Sequence, residues 1–119
     1  MASAGGMKGC NAIVTGASGG LGPAIVSELA RYGVSVLATD INEDPGITLA
    51  GAKYKHEGKV IWRTCDLSSD EERMRLIDHA ASKLETVHFL VNNAAFIPHG
   101  CLNQVSLDKF LLAQEVNVT

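Results

Sequence analysis

Short apolar runs alternate along the chain with longer segments in which apolar residues recur at helical spacing. Four runs, over residues 10–15, 34–40, 60–65 and 87–91, are too short for helices and are rich in small and β-branched apolar residues. We therefore predict four strands, and the segments between them are the candidates for helices.

The first helix is predicted between the first two strands. Pro23 falls in its first turn, where the missing N–H is harmless, and Gly33 falls where a left-handed helix stop belongs. The apolar positions that carry the helical period are Leu21, Ile25, Leu29 and Tyr32.

A second strong helix signal follows the third strand. Ser69 and Glu72 form a capping-box pattern, in which the Ser69 hydroxyl accepts from the third N–H and Glu72 reaches back. The predicted apolar stripe behind this cap consists of Met74, Ile77, Ala81 and Leu84. Weaker signals predict a short helix over residues 47–52 and a last, largely apolar helix over residues 106–118.

The predicted order is strand, helix, strand, repeated to the end of the chain. Right-handed crossovers then favour a parallel sheet with helices on both faces. We expect an α/β fold, a partial doubly wound Rossmann sheet with strand order 3-2-1-4. Residues 1–7 are predicted to be a flexible leader, and residues 8–119 a single domain.

Composition narrows the possible functions. The chain has 119 residues, 46% hydrophobic content and a formal net charge of −3, which argues against nucleic acid or an anionic membrane as a partner. No apolar run approaches the ~20 residues that span a bilayer, and the first residues lack the apolar stretch of a secretory signal. Three widely spaced cysteines indicate free thiols, so a cytoplasmic location is expected. The histidines and cysteines show no metal-ligand spacing, so no metal site is predicted.

A glycine-rich loop separates the first strand from the first helix. Glycines there let the backbone turn sharply and approach a pyrophosphate closely, while free N–H groups and the helix dipole face the anion. The predicted phosphate-binding residues of this loop are Gly16, Ser18, Gly19, Gly20, Leu21 and Gly22.

Asp40 ends the second strand near the separation expected for a ribose-binding carboxylate. Its carboxylate can accept hydrogen bonds from ribose hydroxyls and would repel a 2′-phosphate. No Lys or Arg lies in the loop or just after Asp40, so NAD is favoured over NADP as the cofactor. The next residue, Ile41, is included in the predicted cofactor-binding set. The alternative is that Asp40 only caps the following turn.

These features together resemble the short-chain dehydrogenase/reductase family. The glycine spacing fits both the single-domain branch and the extended branch of that family. The segment Asn92-Asn93-Ala94-Ala95 resembles the Asn-Asn-Ala-Gly signature of the single-domain branch and adds Asn93 to the expected cofactor-binding residues. Asp66 and Leu67 match the pair that holds the adenine ring in the family, and Asn117 matches the asparagine of its catalytic tetrad.

The resemblance implies an oxidoreductase that exchanges hydride between a nicotinamide and a small-molecule alcohol or carbonyl substrate. It also implies a homo-oligomer formed through the last predicted helix. Ala95 stands where the family usually has glycine, and residues 1–119 include no counterpart of the family's catalytic Ser or its Tyr-x-x-x-Lys. The chain is therefore expected to be the cofactor-binding part of such an enzyme. The alternative is a non-catalytic truncated product that binds NAD or a full-length partner.

Overall fold

The structure is a computed structural model, and it describes residues 6–44, 46, 58–94, 108 and 111. Within these residues the chain forms a sheet of strands β1 (Asn11–Thr15), β2 (Ser35–Asp40), β3 (Val60–Thr64) and β4 (Phe89–Val91). All paired strands are parallel and the order is β3-β2-β1-β4, which confirms the predicted 3-2-1-4 arrangement. The carboxyl ends of the strands consequently meet along one edge of the sheet.

Helix α1 (Gly22–Arg31) connects β1 to β2 and lies on one face of the sheet. Pro23 lies in its first turn, and Gly33 adopts φ +84° just after its end, as predicted. The residues of α1 that are fully buried are Gly22, Val26 and Ala30, whereas Leu21 is 70% exposed. Ile25 and Leu29 pack on the core from the flank of the helix. The predicted apolar stripe thus identified the helix correctly, but it lies one position away from the line of closest approach to the sheet.

Helix α2 (Asp70–Leu84) packs on the opposite face of the sheet, and its predicted stripe was wrong. The buried residues are Leu76, Ala80 and Leu84, spaced four apart, together with the β-strand residue Leu37. Met74 and Ile77 are 60% and 57% exposed, and Ala81 is also exposed. Only Leu84 of the predicted stripe is in the core. The apolar side chains of α2 therefore divide into one buried row and one exposed row.

Of the two hydrogen bonds predicted for the capping box of α2, one is confirmed and the other is wrong. The Ser69 hydroxyl accepts a hydrogen bond from the Glu72 N–H at 3.2 Å, as the pattern predicts. The Glu72 carboxylate does not return to the Ser69 N–H, which bonds the Asp66 carbonyl instead. Glu72 accepts from the Asp66 N–H at 3.0 Å, so it fastens the segment before the helix rather than the cap itself.

The predictions for the leader and for the two weaker helices fall partly or wholly outside the described residues. Of the leader predicted over residues 1–7, the structure describes Gly6 and Met7, which are helical, and Met7 packs against the core, so the leader stays a prediction. The helix predicted over residues 47–52 lies outside the described residues. Of the helix predicted over residues 106–118, the structure describes Asp108 and Leu111, which are helical and exposed. None of the helices among the described residues has the length and hydropathy needed to cross a membrane.

Candidate functional site

The glycine loop leaves β1 at the carboxyl edge of the sheet, and two of its glycines are required by close backbone contacts. Gly16 adopts φ +64°, and a Cβ there would lie 2.7 Å from the backbone of Ala94. A Cβ on Gly22 would lie 2.3 Å from the Gly16 carbonyl oxygen. Neither contact leaves room for a side chain, because the obstacles are backbone atoms. These glycines bring the start of α1 close to the ends of β1 and β4.

The middle of the loop has room for side chains, whereas its two ends do not. Gly19 and Gly20 have no heavy atom within 4 Å of an added Cβ, although Gly20 adopts φ +58°. Gly19, Gly20 and Leu21 are all exposed. In the part of the chain that the structure describes, the N–H groups of Gly20 and Leu21 donate to no protein acceptor. The loop therefore presents free amides next to the N-terminus of α1, where the helix dipole favours an anion.

One side of the loop is fastened to the segment that follows β4. The Asn93 side-chain amide donates to the Gly16 carbonyl at 3.0 Å. The Thr15 hydroxyl accepts from the N–H groups of Asn93 and Ala94 at 3.1 and 3.0 Å. Sequence reasoning included Asn93 but missed Thr15. The threonine preceding the first loop glycine was the available signal, since a hydroxyl at a strand end can satisfy backbone donors.

The other side of the loop is fastened to the end of β2. The Ala17 N–H donates to the Thr39 carbonyl at 3.1 Å. Both the N–H of Ser18, at 3.0 Å, and its hydroxyl donate to Oδ2 of Asp40. The Ile41 N–H donates to Oδ1 of Asp40 at 2.7 Å. The Asp40 carboxylate thus lies beside the loop, and its role extends beyond capping the turn that follows.

Asp66 and Leu67 lie at the adjacent strand end, two and three residues after β3. The Cys65 N–H before them donates to the Asp40 carbonyl at 2.8 Å, which brings the two segments together. Oδ1 of Asp66 accepts from the N–H of Ser68 at 3.0 Å and from its hydroxyl at 2.7 Å. Among the described residues, Oδ2 of Asp66 and the Leu67 N–H bond no partner. These two adjacent residues therefore keep one acceptor and one donor without a partner among the described residues.

The residue that precedes this pair, Cys65, is part of the core. Cys65 is buried among Leu37, Leu76 and Ala80. Burial raises the pKa of the Cys65 thiol, and the negative charges of Glu72 and Asp66 add to the increase. A thiol held in its neutral form packs as a small apolar side chain.

The structure brings together most of the predicted site residues at the carboxyl edge of the sheet. The loop residues, Asp40, Ile41, Asp66, Leu67 and Asn93 all lie on the segments that leave the four strands there. Asn117 lies outside the described residues, so its catalytic role stays a prediction. Among the described residues, no group of three His, Cys, Asp or Glu side chains lies close enough together to hold a metal ion.

Comparison with known proteins gives a consistent family match. The model of the family described as short chain dehydrogenase matches residues 10–119. The 7alpha-hydroxysteroid dehydrogenase of Escherichia coli is 39% identical over 88 residues, covering 74% of this chain and 34% of that protein. The L-rhamnose 1-dehydrogenase (NADP(+)) of Thermoplasma acidophilum is 34% identical over 117 residues, covering 93% of this chain and 44% of that protein.

A solved structure shows the same similarity in three dimensions. The NAD+-bound xylitol dehydrogenase is 25% identical and superposes with a TM-score of 0.80, covering 94% of this chain and 44% of that one. The chain thus spans less than half the length of the relatives it matches.

Proposed function

Because the chain belongs to the short chain dehydrogenase family, we propose that it is the NAD-binding part of an oxidoreductase. In this proposal the whole protein exchanges hydride between the nicotinamide and an alcohol or carbonyl group of a small molecule. When bound, the nicotinamide supplies the carbon that accepts or donates the hydride. The residues of this chain hold the adenosine and pyrophosphate parts of the cofactor.

The observation that carries the proposal is the position of Asp40 beside the open amides of the glycine loop. The Asp40 carboxylate is bonded to Ser18, the residue immediately before the exposed segment 19–21. A pyrophosphate on those amides would place the adjoining ribose within reach of this carboxylate. Asp66 and Leu67 then offer one acceptor and one donor for the adenine.

Charge favours NAD over NADP in this proposal. A 2′-phosphate would lie against the negative Asp40, and residues 16–22 and 41–44 contain no Lys or Arg to neutralise it. The relatives include both an enzyme named for NADP and a structure with bound NAD, so the preference depends on Asp40 itself. We also propose a cytoplasmic location, from the cysteine usage, and a homo-oligomer, from the apolar character of residues 107–118.

Titration of NAD and NADP into the chain, followed by calorimetry, tests this function. We expect saturable NAD binding and an affinity for NADP that is about ten-fold lower or weaker still. Asp40→Asn should weaken NAD binding about ten-fold, since it removes a charged acceptor for the ribose, and should narrow the difference between the cofactors. Asp78→Asn, which removes the same charge from an exposed position on α2, serves as the matched control.

Two results would contradict the proposal. One is the absence of saturable NAD binding to the folded chain, and the other is tighter binding of NADP than of NAD. A chain that binds NAD without exchanging hydride is the second function that the sequence leaves open. Formation of reduced NAD from an alcohol by the chain would exclude that second function.

A further inference from the structure

A small cavity lies between the end of β3 and the first half of α2. Its volume is about 130 Å³, and it is lined by Arg63, Thr64, Glu72 and Arg75. None of these four residues belongs to the predicted cofactor-binding set, so the proposed cofactor does not account for the cavity. Its lining brings two guanidinium groups and one carboxylate together.

The strand and the helix each direct charged side chains toward this cavity. Ile61, two residues before Arg63 in β3, packs against the buried cluster under α2. Side chains two residues apart in a strand point to the same face of the sheet, so Arg63 is directed toward α2 as well. Glu72 and Arg75 are three positions apart on α2 and therefore lie on one face of the helix.

Arg63 is a half-buried cation without a fixed anion. Among the described residues, its guanidinium forms no hydrogen bond and no ion pair. A cation that is partly removed from water normally has an anionic or hydrogen-bonding partner. Its charge also acts on the residues around it. Burial lowers the pKa of His79, and the positive charges of Arg63 and Lys83 lower it further.

Arg75 supplies a second cation that is only weakly engaged. Its guanidinium pairs with Glu71 at 3.4 Å, and both side chains are more than half exposed. An exposed ion pair of this kind contributes little to stability, because water screens it and two long side chains must be held in place. Arg75 can therefore turn to an anion in the cavity at small cost.

Glu72 decides which anions the cavity can accept. Its Oε1 accepts from the Asp66 N–H at 3.0 Å, and its Oε2 has no partner among the described residues. A carboxylate repels an anion unless the anion donates a hydrogen bond to it. Hydrogen phosphate can donate through its P–OH while its other oxygens accept from guanidinium groups. Sulfate has the same shape and, at pH 8, the same charge, but it carries no proton.

We infer that this cavity binds inorganic phosphate, whose oxygens accept from Arg63 and Arg75 and whose P–OH donates to Glu72. The planar fork of a guanidinium matches two oxygens of a phosphate at once, which makes such bonds strong and specific. The inference does not depend on the proposed function, because neither a nucleotide nor a nicotinamide takes part.

Calorimetric titration of the chain with different anions, at pH 8 and constant ionic strength, tests the inference. We expect saturable binding of phosphate and about ten-fold weaker binding of sulfate. Glycerol 2-phosphate, a monoester that has lost both protons at this pH, should bind as weakly as sulfate. The absence of saturable phosphate binding would overturn the inference, and so would equal affinity for phosphate and either of the other anions.

A matched pair of arginine variants tests the location of the site. Arg63→Gln should weaken phosphate binding about ten-fold or more, since it removes charge-assisted bonds to the anion. Arg31→Gln removes an exposed guanidinium that pairs with Glu28 on α1 at 3.3 Å, and it should leave the affinity within about two-fold of the unchanged chain. Equal losses in the two variants would reveal a general effect of charge and would overturn the inference.

Glu72→Gln tests the origin of the selectivity. Glutamine keeps an oxygen for the Asp66 N–H and replaces the second carboxylate oxygen by a donor, so sulfate should then bind about as tightly as phosphate. A preference for phosphate that persists in this variant would overturn the inference. Circular dichroism of each variant confirms that the fold is kept, and where a variant fails to fold, the comparison of anions on the unchanged chain decides.

Discussion

The glycine loop and helix α2 both lie against the same sheet, but different kinds of contact hold them there. The loop is fixed by backbone atoms in close contact, as at Gly16 and Gly22, and by hydrogen bonds from Asn93 and Ser18. Helix α2 is fixed by a row of apolar side chains, of which Leu76 is 5% exposed. A second row on the same helix, including Ile77, remains exposed among the described residues.

This difference predicts different responses to substitution. In the loop, an added Cβ should be tolerated where it would meet no other atom, and should destabilise the protein where it would overlap backbone atoms. In α2, removing carbons should matter on the buried row and hardly at all on the exposed one. Unfolding measurements on matched pairs of variants can confirm or refute this difference between the loop and α2.

The largest effect is expected from Gly16→Ala. The new Cβ would meet backbone atoms of Ala94 at 2.7 Å, and alanine is strained at φ +64°. We expect the free energy of unfolding to fall by more than about 3 kcal/mol, or the chain not to fold. Gly19→Ala is the matched control, because its Cβ would meet no heavy atom within 4 Å and its φ is not in the left-handed region. Equal urea midpoints for the two variants would contradict the close-contact account.

The next effect concerns the two rows of α2. Leu76→Ala should lower the free energy of unfolding by about 2–3 kcal/mol, since it opens a cavity against Leu37 and Cys65. Ile77→Ala, at the next position of the helix, should change it by less than about 0.5 kcal/mol. Thermal or urea unfolding measures both variants. If Ile77→Ala proved the more destabilising, the exposed row would be covered in the protein in solution.

The smallest effects are expected from two threonines that are register partners at the ends of β1 and β2. Thr15→Val removes the acceptor of the Asn93 and Ala94 N–H groups and should cost about 1–2 kcal/mol of stability. The Thr39 hydroxyl is buried and hydrogen-bonds to no described residue. Thr39→Val should therefore leave stability unchanged or raise it by up to about 1 kcal/mol. Loss of stability in Thr39→Val, measured in the same unfolding experiment, would show that this hydroxyl has a partner.

The sequence identified best those residues whose type is unusual for their position in the predicted strands and helices. The positions of Gly16 and Gly22 between a strand and a helix, and of Asp40 at a strand end, predicted that they lie at one edge of the sheet, and their cofactor-binding role stays a prediction. The period of the apolar residues likewise established both helices. It could not establish their faces, because large apolar side chains such as Ile77 also lie off the line of contact, and small ones such as Ala30 and Ala80 occupy part of it.

Hydrogen-bond partners were the least predictable feature. Glu72 has the spacing of a capping box. Its carboxylate nevertheless accepts from the Asp66 N–H and not from the Ser69 N–H. The bond from Ser18 to Asp40 joins residues 22 positions apart and depends on how β1 and β2 pair.

The sequence by itself determined the order of the elements, the family and the chemical types gathered at the carboxyl edge, because periodicity and residue type are local properties. The tertiary structure decided which face of each helix is buried, which glycines have no room for a carbon, and which loop groups bond Asp40. Those outcomes depend on distances between segments far apart along the chain, which strand pairing and side-chain packing set together.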